Sequence, residues 1–245
     1  MFNRHLIAYL PVYLAQGLVG FGAVAVFTRI LSPEDYGRYV LILAGASLIG
    51  TLIFTWLDAA VARHHARADA RGRLAGQLFT AWRIYAALGA PTALLGALVL
   101  WTAPLAADLK AACAFAFAYT LIRSGLTLAL ETRRAGGEAW RYSLLETFTL
   151  SAGFALGVVF TAAGGLGAAG PFAGMALAAA LALVVDGPVL ISKAQRDRAD
   201  GRRAAAFFAY GAPVAISLLF EHLLSVGDRF VIAAILGEAA AGAYA

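Results

Sequence analysis

The sequence predicts an all-α integral membrane protein: a six-helix transmembrane lobe followed by the first helix of a second, repeated lobe. Three observations carry this. Of 245 residues, 62% are hydrophobic and only 13% charged, with a mean hydropathy of +0.78, outside the balance of a water-soluble domain. Seven apolar runs, at 6–31, 39–57, 82–101, 110–130, 143–163, 168–191 and 206–236, are long enough to cross a hydrocarbon core of ~30 Å as helices. In lipid each backbone amide has to be satisfied within its own segment, so the runs are helical. Finally, part of the chain recurs. Ile30, Leu31, Gly37 and Tyr39 coincide with Ile235, Leu236, Gly242 and Tyr244 at an offset of 205, and Pro11-Val12 coincides with Pro213-Val214 at 202. A repeat of this length marks a duplicated architecture. It divides the chain into a lobe at 1–192, a basic linker at 193–205, and the first helix and outer loop of an incomplete second lobe at 206–245.

Charge sets the expected orientation. If the helices alternate, fourteen of the nineteen Lys and Arg fall on one side, Arg4, Arg63, Arg67, Arg71, Arg73, Arg133, Arg134, Arg141 and Lys193 among them; Arg29, Arg38 and Lys110 fall on the other. The positive-inside rule then places the N-terminus and the arginine-rich loops in the cytoplasm. The basic pI of about 9.6 needs no nucleic acid to account for it, because loop arginines also meet anionic headgroups.

The first run is too long for the apolar core of a signal peptide and leads straight into a second span, so it reads as an uncleaved helix. After Leu31, Ser32-Pro33-Glu34-Asp35 is a helix start: a Ser cap, Pro at the first position and an acid three residues after the cap. The second segment places Ser47, Thr51, Thr55 and Asp58 on one face, which should point into a bundle or a water-filled cavity. Residues 59–80 read as a hydrophilic loop, and the adjacent His64 and His65 within it lack the Cys, Asp or Glu spacing of a metal site. Pro91 predicts a kink in the third segment. Cys113, the single cysteine, reads as a packing residue.

Arg123 lies within the fourth segment, accompanied by Thr120, Ser124 and Thr127. Two readings stand beside each other: a side chain that snorkels or pairs with Glu131, or a cation facing a cavity to hold an anion, for which a planar guanidinium fork suits phosphate. In segments five and six, Gly153-x-x-x-Gly157 and Gly170-x-x-x-Gly174 predict close helix approach. The GxGxxG match at 165–170 between them follows no strand and reads as a turn. The seventh segment sets Ser217, Glu221, Ser225 and Asp228 on one face, with His222 and Arg229 alongside. Such groups cost ~2.5–3.5 kcal/mol each at a bilayer centre, so they face water, a partner charge or a substrate. Ion pairs of Glu221 with Arg229, or of Asp228 with Arg123, are one outcome; a cation or proton site is the other.

With these residues in view, the chain resembles a known family. A first helix ending in Arg-Ile-Leu-Ser-Pro-Glu-Asp-Tyr-Gly-Arg-Tyr, a second ending in Asp58 with basic residues after it, and a later Asp-Arg-Phe-Val-Ile-Ala-Ala-Ile-Leu-Gly from Asp228 resemble the polysaccharide flippases. These are the lipid-linked O-antigen and exopolysaccharide exporters of the multidrug/oligosaccharidyl-lipid/polysaccharide exporter superfamily. The resemblance implies a MATE-like fold of two six-helix lobes about an axis along the membrane normal, of which this chain holds one lobe and the start of the next. It further implies a bacterial inner-membrane transporter, not an enzyme. Such a transporter flips a polyprenyl-diphosphate-linked oligosaccharide by alternating access, for lipopolysaccharide or other polysaccharide export. No cofactor is implied beyond a coupling ion, Na+ or H+. The implied partners are the lipid-linked oligosaccharide, membrane lipids, a polysaccharide polymerase and glycosyltransferases.

On this reading Arg123 and Arg229 are expected to contact substrate, and Asp228, Glu221 and His222 to serve ion coupling. Asp228 and Arg229 carry the resemblance, whereas Arg123, Glu221 and His222 rest on the cost of burying charge in a membrane. Two rivals differ in chemistry. A cation-coupled multidrug exporter of the same fold would want an anionic cavity, and a polytopic enzyme acting on lipid-linked sugars would gather acid, base or metal-ligand residues at one membrane face.

Overall fold

The structure, a computed structural model, describes residues 2–194 and 200–244, without the side chains of residues 2–6 and Lys193. Arg196 and Arg198 of the expected linker, and the side chain of Arg4, lie outside it. The regular structure of the described residues is all helical, with no strand: α1 Phe2–Ile30, α2 Pro33–Gly50, α3 Trp56–Ala70, α4 Leu74–Thr102, α5 Ala107–Ala135, α6 Ala139–Ala162, α7 Gly170–Ala194, α8 Gly201–Leu236 and the short α9 Glu238–Tyr244. A π-helical turn, Thr51–Thr55, joins α2 to α3 without a break. Seven helices are therefore long and apolar enough to span a membrane, α2, the π turn and α3 counting as one span over Pro33–Ala70.

The start of α2 is built as its sequence predicts. Ser32 is the N-cap, its hydroxyl oxygen accepts the Asp35 N–H at 3.1 Å, and Pro33 fills the first position. Helix ends elsewhere run past the apolar runs. Residues 59–80, expected as a loop, are helix on both sides of a tight turn at 71–73, where Gly72 adopts φ +62°. Alternating Ala with Arg and His favours helix once the chain leaves lipid, so hydrophilicity there marks depth rather than loop. The expected linker differs for the same reason: α8 begins at Gly201, capped by the Asp200 carboxylate on the Arg202 N–H at 2.9 Å.

Small residues set the closest packing. A β-carbon on Gly174 would overlap the backbone of Gly157, and one on Gly157 would sit 3.1 Å from the Cα of Pro171. The two glycine motifs thus face each other across α6 and α7, the most extensive helix pair of the molecule. Helix α5 packs on α7, α1 on α6, α8 along α3, and α9 on the start of α2. By contrast α4 presents Leu94, Leu95, Leu98 and Trp101 outward, with Trp101 85% exposed, as a lipid-facing helix should.

At the arginine-rich end, α5, α6 and α7 are tied by charge. Asp186, fully buried on α7, accepts from Arg133 Nε and Nη2 at 3.2 and 3.1 Å and from Arg141 Nε at 2.8 Å. Arg133 is itself only 2% exposed and also donates to Glu138 at 2.8 Å. The positive-inside count places Arg133 and Arg141 together at the cytoplasmic end; the structure buries Arg133 on Asp186 while Arg141 reaches the same carboxylate from an exposed position.

Candidate functional site

The polar face of the second span does open onto a cavity. Ser47, Thr51, Thr55 and Asp58 line one wall of a cleft of about 240 Å³, and Thr120, Arg123, Ser124 and Thr127 of α5 line the other. The π turn falls where Thr51 and Thr55 line this wall, and such wide turns concentrate at functional positions. The α5 hydroxyls spend their hydrogens on their own helix: Thr120 donates to the Ala116 carbonyl at 2.9 Å, Ser124 to Thr120 at 2.8 Å and Thr127 to Arg123 at 2.9 Å. Their oxygen lone pairs are left as acceptors.

Arg123 does not pair with Glu131, which is held by Arg134 at 2.9 Å from Nε. Its partner is Glu146 of α6, bound fork to fork through Nη1 at 2.9 Å and Nη2 at 2.7 Å, the carboxylate only 5% exposed. The remaining N–H groups of Arg123 have no acceptor among the described residues. Asp58 is 7% exposed, and among the described residues its carboxylate has neither an ion pair nor a hydrogen bond. Asp58 was legible as the end of a polar stripe, but Glu146 was not singled out. The signal for Glu146 was a carboxylate inside the fifth apolar run at 143–163.

The α8 residues divide. His222 Nε2 lies 3.0 Å from the Ser47 hydroxyl. That hydroxyl also lies 2.9 Å from the Ala44 carbonyl, so it bridges His222 to the backbone of α2. His222 thereby reaches the top of the polar stripe. Glu221 and Asp228 are exposed and do not line the cleft; Arg229 is half-buried and also stands apart from it. Neither the Glu221–Arg229 nor the Asp228–Arg123 ion pair forms among the described residues. Asp228 instead accepts from the Tyr244 hydroxyl at 2.8 Å, a bond that holds the Tyr244 phenol above its ordinary pKa, with the negative charge of Asp228 adding to the effect. Of the five expected site residues, only Arg123 lines the cleft and only His222 touches its wall.

At the end of the spans opposite the arginine-rich loops, the two copies of the repeated stretch meet. A β-carbon on Gly37 would overlap the Glu238 carbonyl, and one on Gly242 would lie 2.9 Å from the Gly37 Cα and 3.2 Å from the Pro33 carbonyl. Gly37 and Gly242 are 205 apart, as are Pro33 and Glu238. The contact is therefore reciprocal under the repeat, as at a two-fold axis. Arg38 secures it, donating to Glu238 at 2.8 Å, Glu34 at 2.6 Å and Asp108 at 3.2 Å.

No curated protein and no solved structure matches the chain. One family does, that described as polysaccharide biosynthesis protein, over residues 3–245. A multi-pass chain with a polar cleft among its spans, matched from near its first residue to its last, belongs to the polysaccharide biosynthesis protein family.

Proposed function

We propose that the protein flips a polyprenyl-diphosphate-linked oligosaccharide across the bacterial inner membrane, by alternating access between two MATE-like lobes and without covalent chemistry. The observation that carries this is Arg123, whose unused N–H donors sit in a hydroxyl-lined cleft within the membrane. Glu146 orients the guanidinium, the free donors receive a diphosphate oxygen, and the hydroxyls receive sugar O–H groups. The reciprocal Gly37–Gly242 contact supports two lobes related by a two-fold along the membrane normal. The arginine-rich end faces the cytoplasm on this reading, and the substrate comes from glycosyltransferases and passes to a polymerase.

The coupling ion, Na+ or H+, fits Asp58 better than Glu221 or Asp228. Arg123 and Glu146 neutralise each other, which leaves Asp58, the carboxyl group that lines the cleft, buried without a partner and available to take up a proton or a cation. His222, through Ser47, reports α8 movement to the same wall.

The test is transport of lipid-linked oligosaccharide in proteoliposomes. Arg123→Lys keeps a cation for Glu146 but loses the fork, so initial rates should fall about tenfold or more, corresponding to loss of about 1.4 kcal/mol of binding, with normal membrane yield. Asp58→Asn should leave a rate that no longer responds to the ion gradient. Parental transport by both variants would refute the cleft as the substrate path.

A further inference from the structure

A second crevice, of about 440 Å³, opens between α3 and α8 at the arginine-rich end. It is lined by Arg63, His64 and Arg67 of α3 and by Ala206, Ala209 and Tyr210 of α8, with no carboxylate among them. Arg63 and Arg67 are four residues apart, so both guanidinium groups leave one face of α3. Both are exposed, and neither has an ion pair or a hydrogen bond among the described residues. Between them His64 stacks on Phe207 with ring centres 5.7 Å apart and meets Tyr210 edge-on at 6.1 Å. Its Nε2 is buried without a hydrogen-bond partner. Two unpaired cations and one buried, unpartnered imidazole nitrogen thus surround a gap between helices, a grouping whose chemistry suits an anion.

The surroundings say which anion. Trp56 lies seven residues before Arg63 on the same face of the same span, toward the membrane interior, and packs against Phe208, which is 63% exposed. The basic crevice is therefore continuous with an apolar surface that a free ion would not use and an acyl chain would. Arginine-rich ends of membrane proteins also sit at the leaflet richest in anionic lipid.

We infer that this crevice binds the phosphate headgroup of an anionic membrane lipid, with Arg63 and Arg67 on the phosphate, His64 beneath it and the acyl chain along Trp56 and Phe208. The lipid fills the gap between α3 and α8 and fastens the two together. The site is separate from the Arg123 cleft and holds whether or not the protein flips a lipid-linked sugar.

Native mass spectrometry of the detergent-purified protein, incubated with equal phosphatidylglycerol and phosphatidylcholine, tests this. The parent should retain phosphatidylglycerol selectively. Arg63→Gln with Arg67→Gln should weaken that binding about twenty-fivefold, from about fivefold per arginine, while Arg71→Gln with Arg73→Gln on the adjoining turn should leave it within about twofold. Undiminished phosphatidylglycerol on the first double variant, or an equal loss on the second, would overturn the assignment. Displacement of the lipid by millimolar inorganic phosphate would also overturn it, by showing a phosphate site with no use for the lipid.

Discussion

Asp186→Ala should be the most damaging single substitution to stability in the described structure. Asp186 is fully buried and satisfies two arginines from two other helices, one of which, Arg133, is 2% exposed. Removing it leaves a buried guanidinium with only Glu138 to balance it. Breaking a buried pair in this way costs about 3–5 kcal/mol, most of it the penalty of the charge left behind. Arg141, being half-exposed, turns to water and adds little. Unfolding of the purified protein in mild detergent should show that loss for Asp186→Ala, and little loss for Asp186→Leu combined with Arg133→Met, which removes both charges while keeping volume. Comparable loss in the single and double variants would mean that shape at this position, rather than charge, holds α5, α6 and α7 together.

That network also shows where sequence reading runs out. Hydropathy located all seven spans, because a bilayer demands long apolar runs whatever the tertiary packing. The Ser47-Thr51-Thr55-Asp58 stripe was legible because helical periodicity puts those residues on one wall, and the glycine motifs because close packing needs small side chains. Pairings between helices were not legible. Arg123 finds Glu146 rather than Glu131, and Arg133 turns to Asp186, since partners at the same depth on different helices leave no trace in spacing. The seventh span is the instructive case: its polar stripe exists, yet Glu221 and Asp228 face outward, because periodicity fixes which residues share a face and not what that face meets.

Gly37→Leu should hold apart the two copies of the repeated stretch and, on the alternating-access reading, stall transport. A β-carbon at Gly37 would overlap a backbone carbonyl, that of Glu238, which cannot rotate aside as a side chain could. The helices would have to separate, carrying Glu238 away from Arg38 and releasing an ion pair of 2.8 Å. Overpacking of this kind costs about 1–3 kcal/mol, enough to shift a closed-to-open equilibrium about fivefold to 150-fold. Because the contact is reciprocal, Gly242→Leu should act in the same direction, its β-carbon meeting Gly37 at 2.9 Å. Spin labels on Ala106→Cys, at the start of α5 where it packs on α2, and on Ala239→Cys of α9, in a Cys113→Ser background, read the separation of α9 from the α2–α5 pair, since both positions are exposed at this end. Both glycine variants should lengthen or broaden the distance distribution and slow lipid-linked oligosaccharide transfer together. An unchanged distribution in both would mean that α2 and α9 accommodate a side chain at their crossing, and the contact would then be packing rather than a closure that must break. A longer distance with parental transport would separate the geometry from the function, leaving the reciprocal contact in place and removing its role in the transport cycle.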